Sequence, residues 1–182
     1  MDISFQGNKI GTASVLKKEL LTSKYSPKQV ALVEFDFKSK DDLKTLKVLK
    51  KDWNGFASDI YREAEKGYAD SVYALTTQKD TFEKITPQKV LGLAEVVNIG
   101  GGNISLEYLQ TKPNYIFDDD KIRKIKHIGK ALIDSLKSKE NVKSIQVNPL
   151  HSVIDFYKKQ GFVSSNKADI FDEGLLIWKK QF

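Results

Sequence analysis

Hydrophobic and polar positions change their period several times along this chain, and each change predicts an element. Residues 30–37 read Val-Ala-Leu-Val-Glu-Phe-Asp-Phe, and the alternation of the second half predicts a half-buried strand. From Asp41 the apolar residues Leu43, Leu46 and Leu49 recur near helical spacing until Trp53-Asn54-Gly55 breaks the pattern. A second helix over 58–66 carries Ile60 and Ala64 one turn apart and ends at Gly67. Residues 72–77 and 90–99 predict strands, separated by a polar loop that ends near Pro87. Gly100-Gly101-Gly102-Asn103 leads straight into a further strand, 104–111. A glycine run between two strands, with no helix after it, is a hairpin turn rather than a phosphate loop. The spacing then predicts an amphipathic helix to about Ser138, a strand at 144–147, a helix after Asn148-Pro149, and strands at 161–165 and 175–179. Residues 10–21 have apolar spacing but mixed propensity, and predict a short strand or helix packed at the domain edge.

Strands and helices interleaved in this way define an α/β chain with a mixed sheet and helices on both faces. No repeat, low-complexity tract or linker divides it, so residues 1–182 are expected to form one domain. The absence of cysteine excludes disulfides, thiolate nucleophiles and cysteine metal sites, and fits a cytoplasmic protein. Residues 1–10 have no signal-peptide character, and no stretch approaches the ~20 apolar residues of a membrane helix. The net charge of +6 suits either nucleic acid or a polyanionic cofactor. Most lysines are interspersed with acidic residues, and basic clustering is confined to Lys121–Lys130, which argues against nucleic acid.

The densest candidate chemistry is Lys126-His127-Ile128-Gly129-Lys130-Ala131, a loop that opens the amphipathic helix. First-turn N–H groups of a helix lack intrahelical partners and favour an anion. Gly129 permits close approach, either of a phosphate or of a packed neighbour. Lys126 and Lys130 would add positive charge.

Downstream stands Phe156-Tyr157-Lys158-Lys159-Gln160-Gly161-Phe162. The order strand, glycine loop, helix, strand, Asn, helix and this aromatic segment resembles the GCN5-related N-acetyltransferase superfamily across about residues 72–162. Lys126 departs from the Arg or Gln that usually opens the loop motif; phosphate attraction survives this change but bidentate geometry does not. The connection 116–124, with Asp118-Asp119-Asp120, is longer than the family's, and such an acidic run is solvated, caps a helix or holds a cation.

The resemblance implies a mostly antiparallel central sheet with one splayed strand pair, and a cofactor-binding core at about 72–165. It implies acetyl transfer from acetyl-CoA to a primary amine of a small molecule or protein, by a monomer or homodimer and without a metal. The pantetheine arm would pair with Leu109, Gln110 and Thr111. The pyrophosphate would sit on the amides of 127–131, with Lys126 and Lys130 beside it, and Asn148 would bind the cofactor arm or cap the following helix. Tyr157 would be the general acid. For the base, Glu107 on the central strand is the candidate, with Glu95 on the neighbouring strand or a water as alternatives. Gln146 cannot act as a base, and His151 is a surface residue near the cleft. A catalytically inactive CoA-binding protein of the same fold is the other reading of these residues. The N-terminal part would shape the acceptor site.

Overall fold

The computed structural model describes residues 8–19, 24–53, 55–77, 86–115, 124–165 and 174–181. Asp118-Asp119-Asp120 and most of the 116–124 connection lie outside the described residues. Nine strands form one sheet in the order β6-β1-β2-β3-β4-β5-β7-β9-β8. They are β1 (Asn8–Lys18), β2 (Tyr25–Glu34), β3 (Ser71–Thr76), β4 (Val90–Gly100), β5 (Asn103–Thr111), β6 (Ile125–Lys126), β7 (Ser144–Val147), β8 (Val163–Ser164) and β9 (Leu176–Lys179). Every neighbouring pair is antiparallel except β5 with β7. The helices are α1 (Lys40–Trp53), α2 (Phe56–Lys66), α3 (Ile128–Lys137) and α4 (Ile154–Lys159).

Strand alternation sorts the core into two layers. Ala31, Val33, Val72, Ala74 and Leu93 face Leu46, Leu49, Trp53 and Ile60 of α1 and α2. Leu32, Tyr73, Leu75 and Ala94 face Ile128, Leu132 and Leu136 of α3, and Tyr157 of α4 belongs to this second layer. Helix α3 lies close on β4 because Gly92 has no side chain. A Cβ there would stand 2.6 Å from Ile128 Cγ2 and 3.0 Å from Leu132 Cδ1.

The elements differ from the pattern-based expectation in four places. The first element is a strand, one of the two alternatives that mixed propensity left open, but at eleven residues it is longer than a short one and lies second from the sheet edge. Its partner β2 begins at Tyr25, earlier than the apolar run, because the polar residues 25–29 are paired with β1 on a weakly buried stretch. The loop before α3 contains β6, whose two residues pair with Leu16 and Lys17 of β1. Asn148 does not cap the next helix, since the helical turn starts after Leu150 and α4 after Val153.

The glycine turn does more than reverse the chain. Gly100, Gly101 and Gly102 all have positive φ. The Gly102 carbonyl accepts a hydrogen bond from Lys143 N at 2.7 Å, and Asn103 Oδ1 accepts one from Ser144 Oγ at 2.7 Å. The turn therefore clamps β5 to β7 at one end. A Cβ on Gly102 would lie 2.7 Å from the Asn141 carbonyl oxygen. Gly102→Ala meets both a left-handed backbone and a backbone clash, so the melting temperature should drop by roughly 5–10 °C in calorimetry.

Candidate active site

The clamp at the glycine turn is released further along. β5 pairs with β7 only where Asn103, Ile104 and Ser105 meet Ser144, Ile145 and Gln146. β5 continues to Thr111 with β4 as its partner, while β7 ends at Val147. Residues 106–111 thus border a gap, and alternate backbone groups of such a strand point away from β4 into it. Leu109 packs against the α3-side core, and the buried Gln110 turns to the other side, where its Oε1 accepts a hydrogen bond from Ala57 N at the start of α2. Thr111 is half-buried.

The start of α3 stands beside this gap. His127 is exposed and left-handed, with φ 66 and ψ 21, and its carbonyl accepts a hydrogen bond from Ala131 N at 2.9 Å. The amides of Ile128, Gly129 and Lys130 belong to the first turn and have no intrahelical partner. A Cβ on Gly129 would lie 3.2 Å from Phe156 Cζ and 3.7 Å from Leu109 Cδ2. The glycine therefore lets α4 and β5 close around the first turn, which sets its amides at the mouth of the gap. The two lysines are engaged with neighbours: Lys126 Nζ lies 4.3 Å from the Tyr25 ring centroid, and Lys130 is paired with Asp134 one turn along. Ala131 is buried and Asn148 is exposed. First-turn amides without intrahelical partners, beside a strand that has parted from its neighbour, suit a ligand that carries both phosphates and peptide-like amides. Gly129→Val should force the Phe156 ring outward and crowd that mouth. With acetyl-CoA, the ligand that the resemblance implies, calorimetric titration should show affinity reduced by roughly tenfold or more against the parent; unchanged affinity would put the ligand elsewhere.

On the α2 side of the sheet, one carboxylate is isolated. Glu95 of β4 is 2% exposed, and its Oε2 has no hydrogen-bond partner among the described residues. Burial pushes its carboxyl up to about 8, with the nearby charges of Glu63, Glu107 and Asp59 acting in the same direction and Arg62 opposing them. A carboxyl at that level exchanges its proton near neutral pH, which suits a base. Glu95 pairs with Tyr108 while Val96 pairs with Leu106, so Glu107 is the extra residue of a β-bulge. The bulge leaves Glu107 exposed on β5, close enough to bear on Glu95 but in contact with water. Strand alternation alone does not distinguish the two glutamates, because it lets either one face solvent. The bulge that separates their environments has no signal in the sequence. Asp59, Glu63 and Tyr108 were not anticipated either, although Asp59 and Glu63 share one helix face at i, i+4 spacing.

Tyr157 lies on the opposite side of the sheet. It is 6% exposed and meets Phe156 and Phe162 edge-on, at ring-centroid distances of 5.1 and 5.5 Å. Burial pushes its hydroxyl up to about 12, so it remains protonated throughout the neutral range. Gln146 is half-buried within the β7 ladder, and His151 is exposed at the turn before α4. Among the described residues no group of three or more His, Asp or Glu could hold a metal ion, and no helix is long and apolar enough to cross a membrane.

No protein-family model and no curated protein matches the chain by sequence. Solved structures do match by shape. Tetrahymena GCN5 superposes with a TM-score of 0.54 at 16% identity, covering 78% of this chain and 90% of that one. The PaiA N-acetyltransferase of Thermoplasma acidophilum, solved in complex with coenzyme A, gives 0.53 at 16% identity, covering 83% of this chain and 99% of its own. The chain has the fold of the GCN5-related N-acetyltransferases.

Proposed function

We propose that the protein is an acetyl-CoA-dependent N-acetyltransferase that acts on a primary amine by direct transfer. The observation that carries this reading is the parting of β5 from β7 after Ser105, with the first turn of α3 beside the opening. The amides of 128–130 would hold the pyrophosphate, and the stretch Leu109, Gln110 and Thr111, beyond the β5–β7 pairing, would hold the pantetheine arm. Acetyl-CoA supplies the acetyl group as an activated thioester.

The remaining chemistry falls to two side chains on opposite faces of the sheet. Glu95, on the α2 face, would accept the proton of the attacking amine, directly or through water. Tyr157, on the α3 face, would donate a proton to the departing sulfur. An amine could then enter from one face while the thiol leaves at the other, with no need for a covalent enzyme form. Glu107 would act on Glu95 through its charge, which helps keep the base's proton affinity high. Two measurements test the reading. Calorimetry should show saturable acetyl-CoA binding, and thiol release should require both an added amine and acetyl-CoA. Binding without thiol release for any amine of a broad panel would favour a non-catalytic CoA-binding protein.

A further inference from the structure

The chain is basic overall, yet the ground above Glu95 is acidic. Asp59 and Glu63 lie one turn apart on α2, and both bear on the Glu95 carboxyl together with Glu107 from the β5 bulge. Among the described residues, the cation paired with them is Arg62. Arg62 Nη2 is 3.0 Å from Asp59 Oδ1 and 3.1 Å from Glu63 Oε1. Two aromatic rings adjoin the same carboxylates. Phe56, which is 36% exposed, stacks obliquely on Tyr108 with centroids 5.4 Å apart, and Tyr108 feels the charges of Asp59, Glu63 and Glu95. The buried, unpartnered Oε2 of Glu95 lies beneath this group.

Such a surface selects its ligand by elementary electrostatics. An acidic or zwitterionic amine would bring a carboxylate against three others. A neutral-tailed amine would satisfy Glu95 but leave the remaining negative charge unmatched. A second ammonium on a methylene chain would be matched at both ends: the chain over the Phe56 and Tyr108 rings, the charges at the carboxylates. We infer that the acceptor is a small aliphatic di- or polyamine, held by Asp59, Glu63 and Glu107 while its terminal amine meets Glu95. This rests on the acetyl-transfer reading given above.

The test compares three amines of one chain length with acetyl-CoA: 1,5-diaminopentane, pentylamine and 5-aminopentanoate. The diamine should have the highest kcat/KM, by roughly tenfold over pentylamine, and 5-aminopentanoate the lowest. Glu63→Gln and Glu107→Gln should each raise the diamine KM by about threefold, with a smaller effect on pentylamine. Arg62→Gln should act in the opposite direction and lower it. Added salt should narrow the preference. Equal use of diamine and pentylamine, or the same KM shift for both amines in every variant, would overturn the assignment. So would a lysine-rich peptide acetylated far better than the diamine. If acetyl-CoA binds but no amine is acetylated, the transferase reading fails, and calorimetry with 1,5-diaminopentane decides the present one. Saturable binding weakened by Glu107→Gln would sustain it, and absent binding would overturn it.

Discussion

Glu95→Gln should abolish most of the acetyl transfer while leaving acetyl-CoA affinity unchanged. The substitution keeps the size of the side chain and removes its ability to take a proton, so turnover should fall by roughly 10²- to 10⁴-fold, the usual contribution of a positioned base. Stability should respond separately. In the folded protein the carboxyl titrates at about 8 instead of 4.5, so the native state holds the proton more tightly than the unfolded chain does. Between these limits the folded state loses stability as pH rises, by a total on the order of 3–5 kcal/mol, and above about pH 8 the loss is complete. The parent's melting temperature should therefore decline from about pH 5 to pH 8.5, and the variant should lack this part of the decline. Retained turnover in Glu95→Gln would transfer the role to water or to Glu107. A parallel Glu107→Gln variant then decides: a lost rate there, with most of the stability decline from pH 5 to pH 8.5 retained because burial is the main cause of the Glu95 shift, would mark the exposed glutamate as the base.

Tyr157→Phe should show the complementary separation on the other face of the sheet. It removes one proton donor and almost no volume from the cluster with Phe156 and Phe162. The melting temperature and acetyl-CoA affinity should barely change, since the loss of one hydroxyl is worth about 1 kcal/mol at most. The single-turnover rate should fall by roughly 10²-fold if this hydroxyl protonates the leaving thiolate. A normal rate would leave the tyrosine as an aromatic of the core and give the proton to water or to His151.

The sequence and the structure agree where the local pattern alone decides the outcome. Leu43, Leu46 and Leu49 announce α1, and Gly67 ends α2 with the left-handed conformation that glycine favours. The glycine hairpin between β4 and β5 and the short strand before Asn148 were equally legible. The start of β2 was not, because residues 25–29 are held by their ladder with β1 rather than by an apolar face. The brief β6 is likewise a product of the β1 edge, which no local pattern encodes.

Legibility of the site follows the same division. Gly129 and Tyr157 stand in motifs and could be singled out by their neighbours in sequence. The contrast between Glu95 and Glu107 arises from one extra residue in β5, and the acidic surround of Glu95 from the packing of α2 against β5 beside it. Both are tertiary facts. The lysines of the loop are the converse case: charge near a helix start invited a phosphate role, but Tyr25 and Asp134 engage them. Their share in binding would require those contacts to yield.

Hydrogen–deuterium exchange with and without acetyl-CoA tests the location of the cofactor most directly, because it reports the backbone groups that bind it. The amides in question lie on β5 beyond its pairing with β7, at 106–111, and in the first turn of α3, at 128–131. Saturating acetyl-CoA should slow exchange in both segments together and leave the α1 and β9 segments nearly unaffected. Slowed exchange confined to other parts of the chain, with binding verified by calorimetry in the same sample, would contradict a cofactor seated between β5 and β7.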